Sequence, residues 1–295
     1  MNDPNFKQEL TGVFGQPVAE NPSQPMVEAA YRHHGLPWRY LTLEVAPADL
    51  AAAVRGARAM GFRGFNCTQP HKLAVIPHLD GLGESAALMG AVNCVVRRGD
   101  RLIGENTDGK GFLQALQGVA DPTGKRVVIF GAGGAARAIA VELALAGATS
   151  FIIVNRGEQR GRELVELLRT RLRVAAEGVA WSGDYTVPAD VDLVVNATSI
   201  GLHPHGDACL PIDVTTLRPR MVVADVIPNP PVTGLLRAAR ARGCRVVDGL
   251  AMLVGQGVIG IRYWTGIEPD PGVMRRALEE IFQGSAQVVA ERHPS

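Results

Sequence analysis

Lys72 and Asp108 are the residues of this chain whose types suit proton transfer. Lys72 ends the stretch Thr68-Gln69-Pro70-His71-Lys72, which follows a strand-like segment, Gly64 to Cys67. Open α/β sheets place their ligands in the loops after parallel strands. A lysine in a closed site shifts its pKa downward by desolvation and can then donate or accept a proton. A lysine on an open surface is only a solvated charge. Asp108 carries a similar pair of readings. It stands just before a helical segment, Lys110 to Val119, where it would act as a cap. Alternatively it pairs with Lys72 and sets that lysine's protonation. Spacing alone does not choose between these readings.

A glycine-rich turn offers a second chemistry. Val127-Val128-Ile129-Phe130 reads as a buried strand and is followed by Gly131-Ala132-Gly133-Gly134-Ala135-Ala136 and an alanine-rich helix to about Ala146. A second apolar run, Phe151 to Val154, comes next. Strand, glycine turn, helix and strand are the first half of a dinucleotide-binding unit. Gly131 allows the tight turn, Gly133 lets the backbone approach a pyrophosphate, and Ala136 lets helix and strand pack closely. The helix N-terminus then presents N–H groups and a positive dipole end to phosphate. The competing reading is a glycine turn needed only for packing. The second strand ends in Asn155-Arg156, with Arg160 shortly after. An acidic residue there would bind a ribose 2′-hydroxyl. A neutral residue with two arginines suits a 2′-phosphate instead, which points to NADP.

Composition narrows the class. The chain has 295 residues, of which 46% are hydrophobic and 20% charged, as expected of a globular protein with two domains. Its formal net charge is +1, which gives no reason to expect nucleic acid or an anionic membrane as partner. The cysteines Cys67, Cys94, Cys209 and Cys244 are widely spaced and read as reduced thiols of a cytoplasmic protein. Met1 to Asn5 is polar, with no signal-peptide pattern. His203 and His205 lack supporting ligands, so no metal is expected.

These residues must be held by ordered elements. Thr11 to Gly15, Trp38 to Val45, Gly64 to Cys67 and Gly90 to Val96 read as strands, and the turn at Gly99-Asp100 returns the last as a hairpin through Leu102-Ile103-Gly104. Met26 to His34 and Pro47 to Met60 read as helices between them, which predicts a mostly parallel sheet. The polar loop Gln16 to Pro25 carries Asn21 and Ser23 and is long enough to bind a ligand. Beyond the glycine turn, Val191 to Asn196 predicts a strand whose end, with Thr198 and Ser199, could line the cofactor. Met221 to Val226 and Arg245 to Val247 follow as strands. A helix from Gly249 to Trp264 and another from Pro271 to about Phe282 close the chain, with polar residues after them that should fray.

Taken together, the motifs resemble the shikimate dehydrogenase family, including its quinate and aminoshikimate relatives. The resemblance rests on Gly64 to Lys72, Gly90-Ala91-Val92-Asn93-Cys94, Gly104-Glu105-Asn106-Thr107-Asp108, Gly131 to Ala138, Asn155-Arg156, Asn196 to Gly201 and Gly249 to Gln256, in the family's order. It implies an α/β protein of two domains. A discontinuous substrate domain would span 1–107 plus 250–295, completed by the C-terminal helices, and a Rossmann-type NADP-binding domain would span 108–249. It implies reversible, NADP-dependent reduction of 3-dehydroshikimate, or a related cyclic keto acid, with Lys72 as acid/base and Asp108 as its partner. Asn21, Ser23, Thr68, Asn93 and Gln256 would hold the substrate. Gly131, Ala132, Gly133, Gly134, Ala135, Asn155, Arg156, Arg160, Thr198, Ser199 and Gly249 would hold NADP(H). The expected assembly is a monomer or homodimer.

Two departures bear on the substrate. Where the family usually carries Ser-x-Ser for the substrate carboxylate, this chain has Asn21-Pro22-Ser23. Where it carries tyrosine in Asp-x-x-Tyr-x-Pro-x-x-Thr, this chain has Pro228 within Asp225 to Thr233. Both fall on the carboxylate end. A lost donor to a buried charge costs about 1.5–3 kcal/mol, enough to change preference tenfold or more. Alternative expectations are therefore a shifted substrate, such as quinate, aminoshikimate or another cyclic polyol, and a non-catalytic ligand or NADP sensor.

Overall fold

The structure is a computed structural model that describes residues 6–292, with side chains described through residue 282. The expectation for Met1 to Asn5 lies outside the described residues. The chain forms two compact units, Met1–Thr107 with Gly257–Ser295, and Asp108–Gln256.

The first unit is built on one sheet. Its strands are β1 (Glu9–Gly15), β2 (Trp38–Glu44), β3 (Gly64–Cys67), β4 (Gly81–Leu82), β5 (Cys94–Arg98) and β6 (Arg101–Glu105), in the order β2-β1-β3-β5-β6-β4. The helices between them are α1 (Ser23–His33), α2 (Leu50–Ala59), α3 (His71–Ala74) and α4 (Glu84–Met89). β1 runs parallel to β2 and β3, and β4 to β6, but β5 is antiparallel to both β3 and β6. The sheet is therefore mostly parallel, as expected, with β5 alone running against the others. The tight turn at Gly99-Asp100 has no room for a crossover helix, so β5 and β6 form a hairpin. α2 turns Leu50, Val54 and Ala57 to one face, where they join Phe14, Phe62 and Phe65 in the core. The Phe14 and Phe65 rings stack with centroids 4.4 Å apart. Burying one such side chain stabilises the fold by about 1.5–3 kcal/mol.

The second unit carries α5 (Asp108–Gln117) and a sheet of β7 (Arg126–Phe130), β8 (Ser150–Asn155), β9 (Ala175–Ala180), β10 (Leu193–Asn196), β11 (Val222–Asp225) and β12 (Arg245–Val247). The order is β12-β11-β10-β7-β8-β9, and every neighbouring pair is parallel. α6 (Gly134–Leu145), α7 (Glu158–Thr170) and α8 (Gly234–Ala241) connect strands. β7 and β10 lie side by side although β8 and β9 come between them in the chain. That is the switch point of a doubly wound sheet, where such folds bind ligands at the carboxyl ends of the strands. β7, β8, β10 and β11 are continuous apolar runs because both faces of the sheet are covered. β9 has an exposed, weakly apolar pattern suited to a sheet edge, and hydrophobic periodicity does not reveal it.

The last two helices are α9 (Gly249–Thr265) and α10 (Pro271–Arg292), the latter extending beyond the expected end near Phe282. The boundary between the units falls within α9, between Gln256 and Gly257. In the first unit Trp264 of α9 donates its indole N–H to Val95 O at 3.0 Å, and α10 lies beside α1. Among the described residues no helix is long and apolar enough to cross a membrane.

Candidate active site

In the first unit, the loops after β1 and β3 leave neighbouring strands at one edge of the sheet. Backbone bonds tie them together: Thr68 N donates to Phe14 O at 2.9 Å and Gln16 N to Gln69 O at 3.0 Å. In the loop after β1, half-buried Asn21 accepts a bond from Ser23 N through Oδ1 at 2.9 Å, a turn that leads into α1. Ser23 itself is buried. After β3, His71 N donates to Thr68 O at 2.8 Å and starts the short α3, which carries half-buried Lys72. Two bonds fix this helix. The Lys72 carbonyl accepts from Val92 N at 2.8 Å, and buried His71 places Nε2 2.7 Å from Val45 O. Burial pushes the Cys67 thiol up to about 12, while the Lys72 charge acts in the opposite direction.

Asn93 links these loops to the next motif. Its carbonyl accepts from Cys67 N and from Asn66 Nδ2, each at 2.9 Å. Its Oδ1 accepts from Thr107 N at 2.6 Å, and its Nδ2 donates to Thr107 Oγ1 at 3.0 Å. Thus Thr68, Lys72 and Asn93 gather at one end of β3, with the Asn21 loop at the same sheet edge. Asn93 also anchors Thr107, the residue bonded to Asp108. Asp108 is not a cap ahead of a helix starting at Lys110. It is the first residue of α5 in the second unit, and it is half-buried. Gln256 is in that unit too. It is buried in α9 and donates through Nε2 to Leu253 O at 3.1 Å. The α9 backbone at Gln256 lies directly over Gly111 of α5, where any Cβ would collide with it.

The cofactor candidates of the second unit cluster at the ends of β7, β8 and β10. Gly131 has φ +101, and a Cβ there would stand 2.9 Å from Ala197 O at the end of β10. Glycine is therefore required where the turn after β7 meets the loop after β10. Ala132 is half-buried, and Gly133 and Gly134 are exposed. Gly133 is the N-cap of α6 and supplies no side-chain cap, and open space surrounds both glycines on the side a Cβ would occupy. With Ala135 in the first turn, this leaves a bare helix N-terminus of the kind a pyrophosphate fits. Asn155, at the end of β8, donates through Nδ2 to Gly157 O at 2.6 Å. Arg156 and Arg160 are exposed, in keeping with recognition of a 2′-phosphate. Thr198 is half-buried and Ser199 exposed in the loop after β10. Gly249, the first residue of α9, approaches the Ile227 backbone.

Asn196, Asp225 and Thr233 stand in the sequence only as members of motifs, and the fold gives them a shared role. Asn196, at the end of β10, accepts from Thr198 N at 3.1 Å and Thr198 Oγ1 at 2.7 Å, and donates to Asp225 Oδ1 at 3.0 Å. Asp225 also accepts from Ile227 N at 3.1 Å and from Thr233 Oγ1 at 2.7 Å. Thr233 in turn caps α8 by accepting from Leu236 N. Asp225 is buried, and desolvation pushes its carboxyl above the ordinary value against these hydrogen bonds. The spacing of Asp225 and Thr233 within their motif is the signal that could have located this network. Among the described residues, no group of three or more His, Cys, Asp or Glu side chains could hold a metal ion.

A parallel, doubly wound sheet with a glycine turn at its switch point defines a dinucleotide-binding protein. Comparison with known proteins gives the family. A model described as shikimate dehydrogenase substrate binding domain matches residues 13–95. One for shikimate / quinate 5-dehydrogenase matches 114–200, and one for the shikimate 5′-dehydrogenase C-terminal domain matches 249–279. The shikimate dehydrogenase (NADP(+)) of Geobacter metallireducens is 42% identical over 284 residues, covering 92% of this chain and 96% of that protein. Among solved structures, ligand-free 5-ketofructose reductase of Gluconobacter sp. strain CHM43 is 53% identical with a TM-score of 0.92, covering 94% of this chain and all 100% of that one. A shikimate dehydrogenase in complex with NADP+ is 36% identical with a TM-score of 0.86, covering 94% of this chain and 97% of that one. The chain belongs to the shikimate dehydrogenase family, and so to the oxidoreductases that act on a CH–OH group.

Proposed function

We propose that this chain interconverts a polyhydroxylated cyclic ketone and its alcohol with NADP, Lys72 acting as the acid/base. The observation that carries this reading is the placing of Lys72 on α3, which starts where His71 N bonds to Thr68 O, with the Lys72 carbonyl tied to Val92 beside Asn93. NADPH, when bound, supplies the hydride that the carbonyl carbon takes up. Lys72 gives its ammonium proton to the oxygen that gains charge in that step, and takes the proton back in the reverse direction. Asp108 is the carboxylate partner in this scheme, a role that rests on the Gly104 to Asp108 motif. Thr68, Asn93 and Gln256 would hold ring hydroxyls. The arginines after β8 and the uncapped start of α6 support NADP.

The first reading of the substrate is 3-dehydroshikimate, supported by the 42% identity to a shikimate dehydrogenase. A second reading, a neutral ketose of the 5-ketofructose kind, is favoured by what is missing for a carboxylate. Asn21 stands where the family has a serine hydroxyl, and its Oδ1 is taken up by Ser23 N at 2.9 Å. With Pro228 at the position where the family has tyrosine, a further carboxylate donor is missing. The 53% identity to a 5-ketofructose reductase agrees with this reading.

Initial rates of NADPH oxidation with 3-dehydroshikimate and with 5-ketofructose, measured side by side, decide between the two. At least tenfold higher kcat/KM for one compound selects that reading. Turnover of neither, with NADPH still bound, would overturn both.

A further inference from the structure

We propose that Trp181 is a positioning residue for recognition of the cofactor's 2′-phosphate. Its indole ring holds the Arg156 guanidinium at the end of β8. This rests on the NADP reading above and extends it to a residue outside the glycine turn and the arginine pair.

Trp181 is held from several sides. It follows β9, the edge strand next to β8. Its backbone N–H donates to Asn155 O at 3.1 Å, so it is stitched to the residue just before Arg156. Its indole N–H donates to Pro211 O at 3.1 Å, which fixes the ring's rotation. The Phe130 ring, at the end of β7, lies 5.1 Å away at 52° and supports it from the core. A tryptophan with both N–H groups bonded and an aromatic neighbour is a rigid surface.

Arg156 uses that surface. Its Cζ lies 5.5 Å from the Trp181 ring centroid, within the range of a cation–π contact. Among the described residues no carboxylate forms an ion pair with Arg156, so the guanidinium charge is steadied by a π face and not neutralised. An exposed arginine normally loses side-chain freedom when it grips an anion. Here that freedom is reduced beforehand, and the N–H fork remains free of any carboxylate for a phosphate. Asn155 steadies the other side of the turn through its bond to Gly157 O. A ring that served only as core filler would need neither the stacking on an exposed cation nor a bond to the strand that carries it.

The test uses two ligands that differ only in the 2′-phosphate, 2′,5′-ADP and 5′-AMP, titrated by calorimetry into the full-length protein. Turnover is not needed, so the outcome does not depend on which substrate is correct. The wild type is expected to bind 2′,5′-ADP at least tenfold more tightly than 5′-AMP, and Arg156→Ala should abolish most of that preference. Trp181→Leu should weaken 2′,5′-ADP about two- to fivefold, the range of an exposed cation–π contact, and move 5′-AMP less than twofold. Trp181→Phe, which keeps a π face in a conservative fold, should recover part of the loss. In the double variant, Trp181→Leu should add nothing to Arg156→Ala, because it acts through that residue. Equal weakening of both ligands by Trp181→Leu, or additive losses in the double variant, would overturn the assignment. A wild type that binds the two ligands equally would overturn the 2′-phosphate reading on which the assignment rests.

Discussion

Each unit ends its sheet in a buried polar network, and the two are built from different chemistry. In the first unit the network is neutral. Tyr40 donates to Asn66, Asn66 to the Asn93 carbonyl, and the Asn93 amide holds Thr107. In the second unit the centre is a carboxylate, Asp225, which accepts from Asn196, Ile227 and Thr233. Amides have fixed donor and acceptor ends, so the Asn93 carbonyl sets how the Asn66 amide is turned and which end it presents to Tyr40. A carboxylate only accepts, so the second draws loops together without imposing direction. The first arrangement suits holding the substrate-side strands in one orientation. The second suits holding a cofactor-side loop still, at the cost of a desolvated charge.

The largest stability effect should come from the charged centre. Asp225→Ala leaves Asn196, Thr233 and the Ile227 N–H without their acceptor and should cost about 3 kcal/mol in urea unfolding. A loss below about 1 kcal/mol would mean the network contributes little. Asn93→Ala removes the acceptor for Thr107 N and should cost about 2 kcal/mol, with a raised substrate KM. An unchanged KM would separate Asn93's anchoring of Thr107 from any substrate role. Tyr40→Phe should cost about 1 kcal/mol. A loss below about 0.5 kcal/mol would mean that this bond contributes little.

The smallest effect is a pH dependence confined to the second network. The Asp225 carboxyl is held above its ordinary value by desolvation. Its contribution to stability is therefore full below its unfolded pKa and is lost as pH rises through the folded one. Relative to Asp225→Asn, the wild type should lose thermal stability as pH rises from about 3.5 toward neutrality. Melting curves across that range check the sign. A difference that grew in the wild type's favour with rising pH would mean hydrogen bonds, not burial, dominate.

The sequence resolved the second unit more fully than the first. Its buried parallel strands are continuous apolar runs, and its glycine turn is local, so periodicity and spacing suffice there. In the first unit the hairpin at Gly99-Asp100 is local and legible too, but alternation of strand and helix does not determine the order β2-β1-β3-β5-β6-β4, and the short β4 carries no periodicity. Lys72 and Asp108 stand out because their motifs are contiguous. Tyr40 and Trp181 do not, since each acts on a neighbour brought close only by folding. Tyr40 sits within an ordinary alternating strand, and Trp181 follows an edge strand that periodicity does not detect. Asn21 and Pro228 were visible as departures, but the bond that takes up Asn21 Oδ1 at Ser23 N shows only in the folded loop.

The measurement that tests the account most directly is Lys72→Ala, read as both turnover and cofactor binding. kcat should fall by roughly 10²–10⁴ on whichever ketone the wild type reduces, the usual contribution of a positioned general acid, while the NADPH Kd stays within about twofold. Turnover within about tenfold of the wild type would contradict the role given to Lys72.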